Sequence, residues 1–280
     1  MTKISLVINT YNEEEMVEDC IKSALPFVEE VIVVDMYSTD NTVEYSKALG
    51  AKVYFFEHTG IVEPARNFAL QQATGDWILL LDADERIPET LGSLLKEYAK
   101  ENNYDSFNIP RKNIQFKKWV QHTNWWPDYQ IRFFKKDSVV WNDAIHSTPL
   151  VKQNHFTIPA NEEFAILHYN FRSVDHLLEK ICRYTLHEKK LSKEWLKDGD
   201  NFLGYFEKEF GQRFINGKGY KDEIHGFMLS KFMEFYKFIE LARYWEENDY
   251  AELTDVNKLK RIMWKRHKRS LLDKILRRKK

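Results

Sequence analysis

The sequence has few cysteines and no long apolar run. Cys20 and Cys182 lie in separate helix-like stretches and form neither a disulfide framework nor a metal-binding knuckle, so a reducing compartment is expected. No stretch reaches the roughly 18 apolar residues of a membrane span. Near the N-terminus only "ISLVI" precedes polar residues, which is too short for the core of a signal peptide. These absences predict a cytoplasmic protein.

The chain as a whole also lacks a large excess of positive or negative charge, since its formal net charge is −1. We therefore expect no nucleic-acid partner. The average hides an asymmetry, because residues 256–280 hold twelve Lys or Arg against the single acid Asp273, and the rest holds thirty basic against forty-two acidic residues. Basic residues near an anionic leaflet gain about 1 kcal/mol each. This tail predicts peripheral attachment to the cytoplasmic face of the membrane.

Apolar residues are interleaved with the charges of this tail. Those of 259–263 and those of 271–276 do not line up on an ideal helix, so two short segments, or one that forms on contact, are expected instead of one amphipathic helix. The alternative is that some of these apolar residues pack on the preceding helices and that the charges are solvated.

The first hundred residues alternate short β-branched runs with helical patterns, which is typical of a parallel sheet covered by helices on both faces. The predicted strands are Ile4–Ile8, Val31–Val34, Lys52–Phe56 and Trp77–Leu81. Asn12 is placed to cap the first helix, Gly50 to end the second, and Pro64 to lie in the first turn of the third. Residues 105–170 read as irregular strands, and residues beyond Ser173 read as helices. The fold class expected is α/β with a C-terminal helical extension.

Polar clusters follow three of these strands: "TYNE", "DMYSTDNT" and "DADE". Ligands of such sheets bind beyond the carboxyl ends of the strands, so the clusters are expected to meet in one crevice. In extended backbone Asp82 and Asp84 would share a face and form an oxygen-rich site for Mg²⁺ or Mn²⁺, with a diphosphate as the other ligand. The alternative is an ordinary turn whose acids cap the next helix.

Four segments of the sequence resemble the motifs of a known family. The segments "SLVINTYNEEE", "VIVVDMYSTDNTVEYSKALGAKV", "ARNFALQQATGDWILLLDADE" and "PDYQIRFFKK" look like successive motifs of glycosyltransferase family 2, which has the GT-A fold. The closest pattern is that of bacterial lipopolysaccharide-core β-1,4-glucosyltransferases. The resemblance covers residues 3–171 and implies inverting transfer of a sugar from a nucleotide-diphospho-sugar, usually a UDP-sugar, to a glycan or lipid-linked acceptor.

The resemblance also implies roles for particular residues. Asp35 matches the acid that reads the base, while the neighbouring position, often a second acid, is Met36. Asp82 would face the ribose and the metal, Asp84 would ligate the metal, and His168 would complete metal or diphosphate binding. The other positions that match nucleotide contacts are Thr10, Tyr11, Asn12, Glu13 and Arg66.

The catalytic base stays open between two acids. An inverting displacement needs a base to take the proton of the acceptor. Related sequences often carry His-Glu where this chain has His146-Ser147, so Asp128 and Asp143 are the candidates, with Asp128 preferred. The acceptor-side wall is expected to include Trp125, Trp126, Gln130 and Arg132.

The domain organisation follows from these patterns. Residues 1–171 are expected to form the catalytic domain, with a nucleotide-sugar half to residue 104 and an acceptor-side half from residue 105. A helical extension (172–255) and the basic tail (256–280) complete the chain. Two other readings compete with a transferase: a nucleotidyltransferase, disfavoured because "NTYNEEE" lacks glycine, and a non-catalytic sugar-nucleotide-binding scaffold at the membrane.

Overall fold

A computed structural model describes most of the chain in two compact units. The residues that it describes are 2–59, 62–141, 149–151, 154–186 and 191–277. The units are Met1–Ser173 and Val174–Lys280, whereas the sequence placed the boundary after residue 171.

Unit 1 is built on a sheet to which ten strands of the described residues contribute. The early strands are β1 (Ile4–Thr10), β2 (Glu30–Asp35), β3 (Lys52–Phe55), β4 (Trp77–Asp82) and β5 (Glu85–Arg86). The later strands are β6 (Ser106–Gln115), β7 (Lys118–Trp119), β8 (Asp128–Lys135), β9 (Val139–Val140), β10 (Leu150–Val151), β11 (His155–Thr157) and β12 (Ile166–Phe171). The order in the sheet is β3-β2-β1-β4-β8-β6-β12-β5, with β7 and β11 also paired to β6, while β9 and β10 form a separate pair.

The first four strands of this sheet run parallel to one another. Strand β1 pairs in parallel with β2 and β4, and β2 pairs in parallel with β3. Strand β8 then runs antiparallel to both β4 and β6. The helices of unit 1 are α1 (Val17–Ala24), α2 (Thr42–Ala48), α3 (Glu63–Gln72) and α4 (Glu89–Glu101). Pro64 in the first turn of α3 and Gly50, with φ 81° after α2, match the boundaries that the sequence predicts.

Apolar residues fill both faces of the sheet. On one face Leu6, Val33 and Leu79 pack with buried residues of α1 and α4. On the other face Val7 and Leu80 pack with buried residues of α3. Because both faces are covered, the central strands are buried along their whole length, as expected for a parallel sheet between helices. The predicted α/β class with a mostly parallel sheet is confirmed.

Unit 2 is helical, as predicted. Its helices are α5 (Val174–Tyr184), α6 (Lys193–Leu196), α7 (Gly199–Phe210), α8 (Glu223–Glu247) and α9 (Val256–Arg277). No helix in the described part of the chain combines the length and the apolar composition that crossing a bilayer requires.

Residues 256–277 of the basic tail form one helix, so the expectation of two short segments is wrong. Leu259 and Ile262 pack against α7, where an added Cβ on Gly199 would meet the Ile262 side chain at 3.0 Å. Arg266 also pairs with Glu207 of α7 at 2.5 Å. This packing and pairing stabilise one helix without a continuous apolar face, while Met263 and Trp264 are exposed.

Candidate active site

The loops after β1 and β2 are joined by hydrogen bonds around Asp35. The carboxylate of Asp35 is fully buried and accepts hydrogen bonds from Thr10 Oγ1 at 2.9 Å and from Ser38 Oγ at 2.6 Å. The backbone N–H of Ser38 donates to its other oxygen at 2.8 Å. Met36, at the position that often holds a second acid, is buried in the core instead.

Asn12 connects the same two loops and does not cap α1. Its φ of 54° lies in the left-handed region, and its Oδ1 accepts from the backbone N–H of Thr39 at 2.8 Å. The helix begins at Val17, after Met16, so the predicted cap is wrong. Next to this junction the ring of Tyr11 stacks on His58 with centroids 3.8 Å apart. The backbone N–H of Glu13 donates to Thr42 Oγ1 at 2.8 Å.

Asp82, the last residue of β4, is neutralised by two arginines. Arg66 Nη2 donates to its Oδ1 at 2.8 Å, and Arg132 Nη2 donates to its Oδ2. Burial raises the pKa of Asp82, but the charges of Arg132 and Arg66 outweigh it and hold that pKa well below its usual range. The sequence proposed a metal ion as the partner of this carboxylate, and the structure provides guanidinium groups instead.

Glu85 extends this ionic network into the interior. It is fully buried, and its Oε1 accepts from Arg132 Nη2 and from Arg111 Nη1, each at 2.9 Å. The charges of Asp82 and Glu85 raise the pKa of Arg132 against the lowering effect of its burial. Arg132 therefore lies within the ionic network and not on an acceptor-facing surface, which corrects the prediction from sequence.

Asp84 is separated from Asp82 by a change of backbone direction. Strand β4 ends at Asp82 and β5 begins at Glu85, so Ala83 and Asp84 form a turn. The premise that Asp82 and Asp84 share a face of one extended strand is wrong. The turn instead brings Asp84 Oδ2 to 3.6 Å from His168 Nε2. The backbone N–H of Tyr169, next to His168 on β12, donates to the Asp84 carbonyl at 2.9 Å and holds the two segments together.

His168 is oriented by Asn113, which also contacts Asp128. Asn113 Oδ1 lies 2.5 Å from His168 Nδ1, and its Nδ2 donates to Asp128 Oδ2 at 3.1 Å and to the Trp125 carbonyl at 2.9 Å. Those two acceptors fix the orientation of the amide, so its oxygen faces the ring. His168 Nδ1 then donates to the Asn113 oxygen, and Nε2 faces Asp84.

Asp128 lies at the start of β8 and is held by a guanidinium group. Arg111 donates to Asp128 Oδ2 from Nε at 3.0 Å and from Nη2 at 2.7 Å, and Gln130 Nε2 donates to Oδ1 at 3.1 Å. Burial raises the pKa of Asp128, but the combined lowering by Arg111, Asn113 and Gln130 is larger than this increase. The pKa of Asp128 is therefore below its usual value. The carboxylate is therefore ionised near neutral pH and remains 20% exposed.

The two tryptophans before Asp128 are half-buried. Trp126 meets Trp119 edge to face at 5.4 Å, and Trp125 meets Phe171 at 6.0 Å. Asp143, His146 and Ser147 fall outside the described residues, so the second candidate base has no structural assignment.

Protein ligands alone do not enclose a metal ion here. Within the described ranges, no group of three or more His, Cys, Asp or Glu side chains is arranged to hold one. Asp82 is engaged by arginines, so the predicted set of Asp82, Asp84 and His168 reduces to the facing pair Asp84 and His168.

Two contributors to the site, Arg111 and Asn113, were not predicted, and Ser38 and Glu85 were predicted only as members of the clusters "DMYSTDNT" and "DADE". Arg111 and Asn113 alternate on β6, so their side chains share a face, and that spacing is the one signal that could have indicated them. The pairing of β6 with β8 and β12, which brings them to Asp128 and His168, is not readable from spacing.

Together, the parallel half-sheet and the acid-rich strand ends are those of an α/β protein whose ligands bind beyond the carboxyl ends of the strands. The family model described as glycosyl transferase family 2 matches residues 5–156, more than half of the chain. The chain therefore belongs to glycosyl transferase family 2 and is a transferase.

Relatives along most of the chain carry the same general description. An uncharacterized glycosyltransferase of Rickettsia felis is 29% identical over 264 residues, covering 87% of this chain and 89% of the relative. One from Rickettsia typhi is 28% identical over 268 residues and covers 87% of each. The poly(ribitol-phosphate) beta-N-acetylglucosaminyltransferase TarS of Staphylococcus aureus is 33% identical over 124 residues, covering 41% of this chain and 22% of that enzyme.

The chain is similar to a solved structure of glucosyl-3-phosphoglycerate synthase from Mycobacterium tuberculosis in complex with Mn²⁺, UDP and glucosyl-3-phosphoglycerate. It is 26% identical with a TM-score of 0.33, covering 39% of this chain and 43% of that protein. Because this TM-score is low, nothing about the substrate of the present chain follows from the likeness.

Proposed function

We propose that the chain transfers a sugar with inversion from a UDP-sugar to a hydroxyl of a lipid-linked or envelope glycan. The observation that carries the proposal is the facing pair of Asp84 Oδ2 and His168 Nε2, 3.6 Å apart, beside the half-buried Asp82. Both atoms are hydrogen-bond acceptors when the ring is neutral and its single proton is on Nδ1. Two facing acceptors repel unless a cation lies between them.

The residues of this pair fit a divalent metal ion. Two ligand atoms 3.6 Å apart can each lie about 2.1 Å from one ion. A metal-binding histidine usually donates its other N–H to an oxygen acceptor, which Asn113 supplies for His168. A site with so few protein ligands takes its remaining ligands from phosphate and water, as Mg²⁺ sites do. Bound Mn²⁺ or Mg²⁺ would neutralise negative charge on the departing nucleoside diphosphate.

The donor half of the site is proposed to hold the nucleotide over the ends of β1, β2 and β4. Arg66 supports this placement, because its Nη1 is buried and has no hydrogen-bond partner in the described part of the chain. A buried donor left in this state costs free energy, which an oxygen of a ligand would offset. Thr10, Tyr11, Asn12 and Glu13 form the adjoining loop, and Asp35 is proposed to read the base.

Asp128 is the proposed general base among the described residues. It is ionised and partly exposed, and Asn113 connects it to His168. The Arg111 ion pair weakens its basicity, so the carboxylate accepts a proton best when the acceptor hydroxyl is already positioned against it. Trp125, Trp126 and Gln130 are proposed to border the acceptor.

Unit 1 is proposed to carry the chemistry, with membrane attachment assigned to α9 in unit 2. Nine Lys or Arg lie between residues 256 and 277; Lys258 pairs with Asp198, which caps α7, and Arg266 pairs with Glu207 of α7. Lys260, Arg261, Lys265, Lys268 and Arg269 are exposed and would be drawn to anionic lipid head groups. Attachment there would place the enzyme at the surface where lipid-linked acceptors are found.

A panel of nucleotide-sugars tests the proposed function. Thermal stabilisation by UDP-sugars in the presence of Mn²⁺, and its loss with a chelator, is the expected result. Turnover is then followed with a mass-tagged form of the best donor. Stabilisation without turnover in water or onto any acceptor would identify a sugar-nucleotide-binding scaffold, and no response to any uridine nucleotide would refute the proposed donor.

A further inference from the structure

Helix α8 is apolar on two opposite faces. One face is buried within unit 2 and includes Gly226, Leu229, Tyr236 and Leu241. The other face is exposed, and its apolar residues, here called the α8 stripe, share a helical spacing of three, four or seven positions. They are Ile224, Phe227, Met228, Phe235, Phe238 and Trp245.

The exposure of this stripe is substantial. Its six side chains are between 38% and 64% exposed, and the helix from Ile224 to Trp245 is about 32 Å long. Near its N-terminal end the surface continues through edge-to-face rings, because Phe214 lies 5.6 Å from Phe227 and 6.3 Å from Tyr220, which is 51% exposed. A helix with apolar residues on two opposite faces normally has both faces covered, so this surface is suited to a partner.

The charge of unit 2 favours a lipid surface as that partner. Helix α9 lies in the same unit, and its Lys and Arg residues are distributed around the helix axis, so they do not favour a single orientation. A second copy of the chain on the stripe would bring two such basic helices into one assembly, where their charges repel. An anionic bilayer attracts the same charges, and its boundary region accommodates aromatic and aliphatic side chains.

We propose that the α8 stripe enters the boundary region of an anionic bilayer, with α8 lying along the membrane plane. This inference rests on the proposed membrane attachment through α9 and adds a second, apolar contribution to it. Reversible peripheral attachment commonly needs two such contributions, because each alone binds weakly. Salt then screens the contribution of α9, whereas the contribution of the stripe is largely insensitive to salt.

The test compares vesicle binding of the full chain with that of a triple variant, Ile224→Ser, Met228→Ser and Phe235→Ser. These positions avoid Phe227 and Phe238, whose rings contact Phe210 and Phe206 of α7. We expect the partition coefficient onto anionic vesicles to fall by about tenfold or more. The matched control replaces three exposed aliphatic residues outside the stripe, Val140, Val174 and Leu150, by serine and should bind like the full chain.

An unchanged partition coefficient in the triple variant would overturn the inference. So would conversion of a dimer to a monomer with lipid binding retained, since the stripe would then join two copies of the chain. Stabilisation by nucleotide is measured on the same samples, so failure of the proposed donor specificity is recognised separately from failure of the stripe.

A labelling experiment covers the case in which the triple variant does not fold. Cys182, which is exposed, is replaced by serine, and an environment-sensitive fluorophore is attached at Met228→Cys. Anionic vesicles should shift its emission to the blue, while the same label at Leu150→Cys should not respond. No shift at position 228 would overturn the inference.

Discussion

The side-chain oxygen of Asn113 lies 2.5 Å from Nδ1 of His168 and thereby determines which ring nitrogen faces Asp84. Asn113→Leu removes this acceptor while keeping a side chain of similar size. We expect Mn²⁺ affinity to fall by about 10–100-fold, because the ring loses its orientation. Mn²⁺ titration followed by electron paramagnetic resonance measures this directly, with Asn108→Leu on the same strand as the control. Equal affinities in both variants would contradict the assigned role of Asn113.

Asp84→Ala should impair metal binding and transfer, whereas Asp82→Ala should lower the stability of the fold. Asp84 lies in a turn, so its loss should abolish Mn²⁺ binding and transfer with little change in melting temperature. Loss of Asp82 leaves the buried Arg66 and Arg132 short of a counter-charge, which should cost about 3–5 kcal/mol of unfolding free energy. Denaturant unfolding and metal titration of both variants separate the two effects. Full turnover by Asp84→Ala in the presence of a chelator would refute the metal assignment.

Asp128→Asn should lower the turnover rate far more than donor affinity. General-base contributions are typically about 10²–10⁴-fold, and the donor is proposed to bind at other strand ends. Single-turnover rates and donor titrations measure the two quantities, with Asp137→Asn, an exposed acid beyond β8, as the control. An unchanged rate would transfer the proposed role to Asp143.

Glu30 should make unit 1 sensitive to acid. Burial raises the pKa of Glu30, but hydrogen bonds from Ser5, Lys52 and Thr74 lower it to about 2, against 4.5 in the unfolded chain. Because the folded pKa is depressed, the stabilisation is complete above pH 4.5 and is lost as pH falls from there towards 2. The difference corresponds to about 3 kcal/mol at most.

Glu30→Gln should therefore flatten the acid side of the stability curve. Denaturant unfolding between pH 6 and the lowest pH at which the protein folds measures the slope, with the exposed Glu44→Gln as the control. A slope that is the same in Glu30→Gln and in the unmodified chain would show that Glu30 does not carry this acid dependence.

Truncation after Asp255 tests the role of α9. The full chain should float with anionic vesicles at low salt and bind much less at high salt, since screening weakens the attraction of the basic residues. The truncated chain should lose most of this salt-dependent binding and still respond to nucleotide. Equal flotation of both chains at low salt would refute the role of α9, and flotation of neither would favour a soluble acceptor.

The sequence by itself determined the α/β class and the parallel half-sheet. Strand and helix periodicity are local properties, and the ends of parallel strands must meet at one edge, so Thr10, Asp35 and Asp82 could be assigned to one crevice before any coordinates. Pro64 and Gly50 marked helix boundaries for equally local reasons.

Tertiary structure decided how the charges are paired. Asp82 was interpreted as a metal ligand because spacing cannot show that Arg66 of α3 and Arg132 of β8 reach the same carboxylate. The turn at Ala83 and Asp84 places the Asp84 side chain away from the face of β4 on which the sequence had placed it. Its neighbour there is His168 of β12, which lies more than 80 residues further along the chain. A buried carboxylate requires a counter-charge, but only the packing of distant strands and helices decides which cation provides it.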